Sequence, residues 1–333
     1  IVRNLPPVTP IDLPGKFTPF RFTMSRIFPI PDLPRDNPLI EERVTLGEKL
    51  FHEKALSRDG SISCASCHHA DAAFTDRLTL SVGIDGQKGD RNAMPLFNLA
   101  WKREFFWDGR APSLREQVLM PIADHREMDK SLENVSNKLT ALPDYARLFA
   151  AAFRSEGITA EKIALALEQF LLTLSASDAK FDQAISGKTK LTEQETRGFE
   201  LFMTEYEPRT GQLGADCFHC HGGALFSDHQ FHNNGLSGDD RGRAKVTGST
   251  ADHGKFATPS LRNITLTAPY MHDGRFATLE EVVEHYSSGV HRSPTLDPNL
   301  AKHPANGLNL ATADKAALVA FLKTLTSAAS PAP

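Results

Sequence analysis

The sequence contains no apolar run near the ~20 residues that a helix needs to cross a bilayer, and no surplus of positive charge. Lys and Arg number 37 against 41 Asp and Glu, a net charge of −4, which leaves no basic footprint for nucleic acid. Cysteine is scarce, four in 333 residues, too few for a disulfide framework. With 40 % hydrophobic and 23 % charged residues the chain is neither disordered nor fibrous. The opening residues Ile1–Pro7 show no signal-peptide core, which predicts a mature chain whose leader is gone or was never present. The length allows about two domains of ordinary size.

What cysteine there is falls in two short strings, Cys64-Ala65-Ser66-Cys67-His68 and Cys217-Phe218-His219-Cys220-His221. Each is C-x-x-C-H, the attachment pattern of c-type haem. Two thiols add across the haem vinyl groups and the adjacent imidazole reaches the iron as proximal ligand. The competing readings are a zinc site made from two C-x-x-C pairs and a thioredoxin-like redox pair. Histidine is 13 of 333 residues, so its presence directly after both pairs favours haem. Bacterial haem attachment to such strings occurs outside the cytoplasm, so a periplasmic or outer-surface location is expected.

The chain also repeats itself. Gly47-Glu-Lys-Leu50-Phe51 precedes the first haem string and Gly198-Phe-Glu-Leu201-Phe202 the second. Phe74-Thr75-Asp76 and Phe226-Ser227-Asp228 follow them, and Asn98 and Asn263 each stand ten residues before the aspartate of a DGR string. Those strings are Trp107-Asp108-Gly109-Arg110 and His272-Asp273-Gly274-Arg275, each followed by a helix start at Ser113 or Thr278. Ile40, Val44, Gly47 and Phe51 keep helical spacing, Thr192 and Glu195 make a capping box, and a helix-rich middle runs from Ala160 to Phe181. The pattern predicts a mainly α fold of two cytochrome c-like haem domains related by internal duplication. A Pro-rich extended arm is expected over residues 1–37, an N-terminal haem domain over 38–185 and a C-terminal one over 186–333.

The halves differ where it matters. The same offset past each DGR aspartate reaches Pro121 in the first half and Tyr286 in the second. Proline has no ligand atom, whereas a phenolate can bind ferric iron. One open haem on His68 and one closed between His221 and Tyr286 are therefore expected. The alternative makes Tyr286 an ordinary core residue of an amphipathic helix over Glu280–Tyr286.

With these strings in place the sequence resembles the bacterial di-haem cytochrome c peroxidases and their relative MauG, over about Asn37 to Thr326. The resemblance rests on SCASCH, GDRN (Gly89–Asn92), FWDGRA (Phe106–Ala111), PSLRN (Pro259–Asn263) and TAPYMHDG (Thr267–Gly274). In the peroxidases a methionine stands at the Tyr286 position and a histidine follows the first haem string. Here no histidine lies between His69 and His125, so on both counts the chain follows MauG. The Arg91–Met94 stretch is similar to the MbnH branch, whose namesake oxidises a tryptophan on a partner protein.

The resemblance implies Gln117, Pro121 and Glu127 over the first haem, with Glu127 as acid/base for hydrogen peroxide. It implies Trp107 as a relay between haems, and Ca²⁺ held by the Asn92 side chain and the carbonyls of Thr267 and Pro269. Read without it, Glu127 is a solvated glutamate and Trp107 a core aromatic. The expected activity is peroxide-dependent formation of a high-valent two-iron state that oxidises a residue, such as tryptophan, on a partner protein. One alternative is a peroxidase fed by a small cytochrome or copper protein, with Met271 as ligand to the second haem. Another is a plain two-haem electron carrier. His52, His69, His229, His232, His253, His285, His291 and His303 are read as surface or packing residues, and His272 only as the counterpart of Trp107.

Overall fold

The computed structural model describes residues 8–327, so the expectation placed on the start Ile1–Pro7 lies outside the described residues, as does part of the expected arm. The described chain is mainly helical, with two two-stranded antiparallel sheets, Tyr206–Glu207 with Gln212–Leu213 and Phe231–His232 with Phe256–Ala257.

Two helix pairs carry the architecture. In the first half α1 (Glu41–Phe51) lies on α2 (Ala160–Thr173); in the second α3 (Glu193–Met203) lies on α4 (Thr312–Lys323). Local sequence explains their starts. Glu41 and Glu42 open α1 and Lys49 closes it, matching the helix dipole. Thr159 caps α2 through the Lys162 N–H, and Thr192 with Glu195 forms the expected capping box on α3. Nearly every residue of α2 is buried, as an all-round apolar helix requires.

Each pair crosses at a glycine. A Cβ at Gly47 would stand 2.0 Å from the Ala166 carbonyl oxygen, and one at Gly198 would stand 1.9 Å from that of Ala317. Only a missing side chain permits that approach. The surrounding rings repeat too: Phe51 packs on Phe74 and Phe170 at 6.0 and 5.3 Å between centroids, Phe202 on Phe226 and Phe321 at 5.9 and 5.1 Å. The left-handed turns match as well, with φ of 57° and 56° at Asn98 and Asn263 and 69° and 65° at Gly109 and Gly274. Phe105 bridges Ala111 as Tyr270 bridges Phe276. Two apolar cores result, one around Leu50, Phe51 and Phe170, the other around Phe202, Phe226 and Phe321.

The halves are bound by buried charge. Arg91 reaches Asp108 in its own half and Asp240 in the other, each at 2.7 Å, while Arg262 makes a bidentate pair with Asp182, beside the second core, at 2.8 and 2.9 Å. Removing one member of such a pair strands a buried charge, at a cost of about 3–5 kcal/mol. The described arm, from residue 8 to 37, has no helix and lies packed across the molecule. The Trp101 indole donates to the Pro29 carbonyl at 2.6 Å, and Phe28 stands 4.5 Å below the Arg262 guanidinium, so the arm touches both halves.

One expected element is corrected. The helix that should carry Tyr286 stops being α-helical at Glu284, and Tyr286 lies in a π turn, His285–Gly289. The wider turn accommodates His285, whose Nε2 meets the Asn234 carbonyl at 3.0 Å, and it rotates Tyr286 off the line of the preceding helix.

Candidate haem sites

Each C-x-x-C-H string forms a 3₁₀ turn closed by the same bond. The His68 N–H donates to the Cys64 carbonyl and the His221 N–H to that of Cys217, both at 2.9 Å. The His68 Nδ1 lies 2.8 Å from the Phe74 carbonyl and the His221 Nδ1 3.0 Å from that of Phe226. Burial pushes both imidazoles below their ordinary pKa, so the rings are neutral, and the carbonyl selects the tautomer with the proton on Nδ1. That leaves Nε2 free as the metal-binding atom, with its basicity raised by the second hydrogen bond.

The strings line separate cavities. The first, of about 560 Å³, includes Cys64, Cys67 and His68; the second, of about 210 Å³, includes Cys217, Cys220 and His221. The two pairs therefore do not meet in one tetrahedral zinc site. Burial also pushes the Cys64 and Cys217 thiols up to about 12, opposite to the lowered thiol of a redox pair. Two cavities, each with a pair of thiols and an imidazole oriented through Nδ1, fit haem.

The remaining walls of the two cavities differ. Gln117, Pro121 and Glu127 line the first cavity. Burial, assisted by Asp124, raises the Glu127 carboxyl above its ordinary value, against the pull of Arg110 and Arg126. Gly83 holds this segment: a Cβ there would stand 1.9 Å from the Arg126 carbonyl oxygen and 2.7 Å from the Glu127 Cα. Tyr286 lines the second cavity, its phenol pushed up to about 12 by burial. The Asn234 amide nitrogen is 3.3 Å from the Tyr286 hydroxyl and 3.5 Å from the Met271 sulfur, so both candidate ligands meet at one side chain.

Trp107 stands between the sites. It is buried and, with Asn92 and Pro95, lines both cavities. Its indole N–H donates to the Asn92 carbonyl at 2.8 Å. The Asn92 amide nitrogen donates to the carbonyls of Leu78 and Thr79 at 3.1 and 3.2 Å, which orients the side-chain oxygen the other way, without a protein donor among the described residues. Asn92, Thr267 and Pro269 line the same cavity, a set of oxygen donors suited to a hard cation.

Several residues here escaped the sequence reading. His232 is held between Asp228 at 2.8 Å and Asp297 at 2.5 Å and lines the second cavity. The His303 Nε2 lies 2.7 Å from Asp216, the residue ahead of the second haem string. Asp228 stands only four residues before His232, a spacing the sequence offers, whereas Asp297 and Asp216 are too distant in the chain to signal their pairings. Asn234 and Arg91 carry no spacing signal either.

A family model described as di-haem cytochrome c peroxidase matches residues 41–190. The methylamine utilization protein MauG of Methylorubrum extorquens is 40 % identical over 297 residues, 88 % of this chain and 80 % of that protein. The cytochrome c551 peroxidase of Nitrosomonas europaea is 36 % identical over 263 residues, 77 % of this chain and 76 % of that one. Among solved structures, a MauG-like protein associated with microbial copper homeostasis matches with a TM-score of 0.83 and 36 % identity, covering 94 % of this chain and 97 % of the other. These likenesses span both halves and agree with the paired cavities: the chain belongs to the family of MauG and the di-haem cytochrome c peroxidases, haem oxidoreductases that act with peroxide.

Proposed function

We propose that this chain is a periplasmic enzyme that carries two covalently attached haems c and uses hydrogen peroxide to oxidise a residue, such as tryptophan, on a partner protein. The observation that carries this reading is the asymmetry between Pro121 in one cavity and Tyr286 in the other. Cys64 and Cys67 hold the first haem with His68 as proximal ligand; Cys217 and Cys220 hold the second with His221 and Tyr286. Bound haem supplies the iron that meets peroxide and the redox equivalents that are passed on.

The protein groups do the rest. Pro121 would leave its part of the first cavity without a ligand atom to compete with peroxide. Gln117 orients peroxide by hydrogen bonding. Glu127, ionised, would accept a proton from hydrogen peroxide at its carboxylate and return it to the departing oxygen, so that water leaves. Trp107 fills the gap between the cavities with an aromatic path. The phenolate of Tyr286 is a hard anionic ligand that favours the oxidised states of the second site. Ca²⁺ on Asn92, Thr267 and Pro269 stiffens the Asn92 backbone against which Trp107 is bonded. In this reading the arm, residues 1–37, precedes two haem domains, 38–185 and 186–333.

The test is a peroxide titration followed in the near infrared for the wild type and Tyr286→His. The wild type is expected to develop an absorption shared by both sites, and the variant to react with peroxide without it. An unchanged yield in the variant overturns the role of Tyr286. A second reading is favoured by Met271, whose sulfur lies within reach of the same amide as Tyr286. With Met271 as ligand the chain is a peroxidase fed by a small cytochrome or copper protein. A ferric near-infrared band of thioether ligation, lost in Met271→Leu, would decide for it.

A further inference from the structure

The wall around Trp107 and Asn92 continues into a second wall, which separates the second haem cavity from an outer one. His272 holds in the second half the place of Trp107 in the first, directly before the DGR aspartate. Its ring lies on that of Phe256, 3.6 Å between centroids and 12° from parallel. His272, Phe256 and Asn234 line the cavity of Tyr286 and also a third cavity of about 560 Å³. That third cavity reaches the surface, since its lining includes the exposed Asp239, His253 and His291. His272 itself is only 8 % exposed, and neither ring nitrogen has a hydrogen-bond partner among the described residues. The ring is not sealed from solvent, because its nitrogens are not among the fully buried unpaired atoms of the described residues. Here it forms the inner end of a chamber far larger than a water needs.

We infer that the His272–Phe256 ring pair is the oxidative outlet of the second haem cavity, and that the chamber beyond it receives an aromatic side chain, bearing an N–H or O–H, from the partner protein. The inference rests on the peroxide-dependent protein oxidation proposed above and adds the residues through which it acts. The flat ring pair offers a stacking surface, and the hydroxyl oxygens of Ser293 and Thr295, which each accept one hydrogen bond from the Asn233 amide, keep a second lone pair for the incoming N–H or O–H. The stoichiometry closes simply. One hydrogen peroxide takes up two electrons and two protons and becomes two waters. Each aromatic side chain oxidised gives one electron through the ring pair and one proton to solvent, so two such events consume one peroxide.

The experiment uses the haem-loaded protein, hydrogen peroxide and two donors: a short tryptophan-containing peptide, and ferrocyanide as a small donor that needs no chamber. The quantity read is the rate of peptide oxidation divided by that of ferrocyanide oxidation. His272→Ala is expected to lower this ratio at least threefold, and His272→Phe, which keeps a stacked ring, to restore most of it. Thr250→Trp, which fills the chamber from an exposed position and leaves His272 in place, is expected to lower it likewise. It keeps the question open to test where His272→Ala fails to fold. A ratio that falls by less than threefold in His272→Ala or in Thr250→Trp overturns the inference while the proposed function stands. A wild-type protein that consumes peroxide with ferrocyanide yet leaves the peptide intact overturns the protein-oxidising reading and the outlet with it.

Discussion

Trp107 and His272, counterparts in the two halves, are joined through the backbone of one residue. The Trp107 indole donates to the Asn92 carbonyl at 2.8 Å, and the Asn92 N–H donates to the His272 carbonyl at 2.8 Å. The residue that separates the two haem cavities is thus two hydrogen bonds from the one that separates the second cavity from the surface chamber. Trp107→Phe removes the first bond and leaves a buried carbonyl without its donor, which costs about 1–3 kcal/mol. Urea denaturation should show that loss. Stopped-flow spectra should show a slower response of the second haem to peroxide, and an unchanged response would remove Trp107 from the path.

Glu127 gives the peroxide reaction a predictable pH dependence. The ionised carboxylate is the base, so the rate should fall as pH drops through its pKa. Burial raises that value, so the midpoint should lie above the ordinary glutamate range. Glu127→Gln should lose this acid limb and slow the reaction by about 10²–10⁴-fold. A limb that persists in the variant assigns it to another group.

The crossing glycines predict matched defects. A methyl at Gly47 or Gly198 meets a carbonyl oxygen of the facing helix at 2.0 or 1.9 Å, so the helices must separate. Gly47→Ala and Gly198→Ala should each destabilise the protein by about 1–3 kcal/mol or more, the range of core overpacking. Thermal denaturation checks this. Hydrogen exchange should place each defect in its own half, and tolerance of both alanines would refute the packing account.

Calcium removal should be felt at Trp107. If the ion binds the oxygens of Asn92, Thr267 and Pro269, a chelator should release one equivalent, measured by atomic absorption. Apparent stability should fall by about 2.7 kcal/mol relative to calcium at 100 times its Kd. Asn92→Ala should make the protein indifferent to the chelator. Chelator sensitivity that survives in Asn92→Ala puts the ion elsewhere.

Much of the architecture was legible in the sequence. Helix starts at Ser113, Thr192 and Thr278 depend on side-chain oxygens a few residues from the N–H groups they satisfy, and such signals are local. The repeat was legible because Gly47 and Gly198, like Asn98 and Asn263, meet the same steric demand twice. The π turn at Tyr286 was not legible: the Glu280–Tyr286 stretch reads as an ordinary helix, and the bonds made to the turn, His285 with Asn234 and Ser287 with Asn309 and Leu310, come from residues distant in the chain. His232 and His303 looked like any histidine, because Asp297 and Asp216 lie 65 and 87 residues from them.

Sequence alone determined the haem strings, the duplication and the contrast of Pro121 with Tyr286, because each is a matter of residue type and short spacing along a covalent chain. Tertiary structure decided which walls are shared: that Trp107 borders both haem cavities, that one amide reaches both Tyr286 and Met271, and that His272 stands between the second cavity and an outer chamber. Those relations join residues far apart in the chain. They exist only because two packed cores and the charged pairs between them bring the halves into one fixed arrangement.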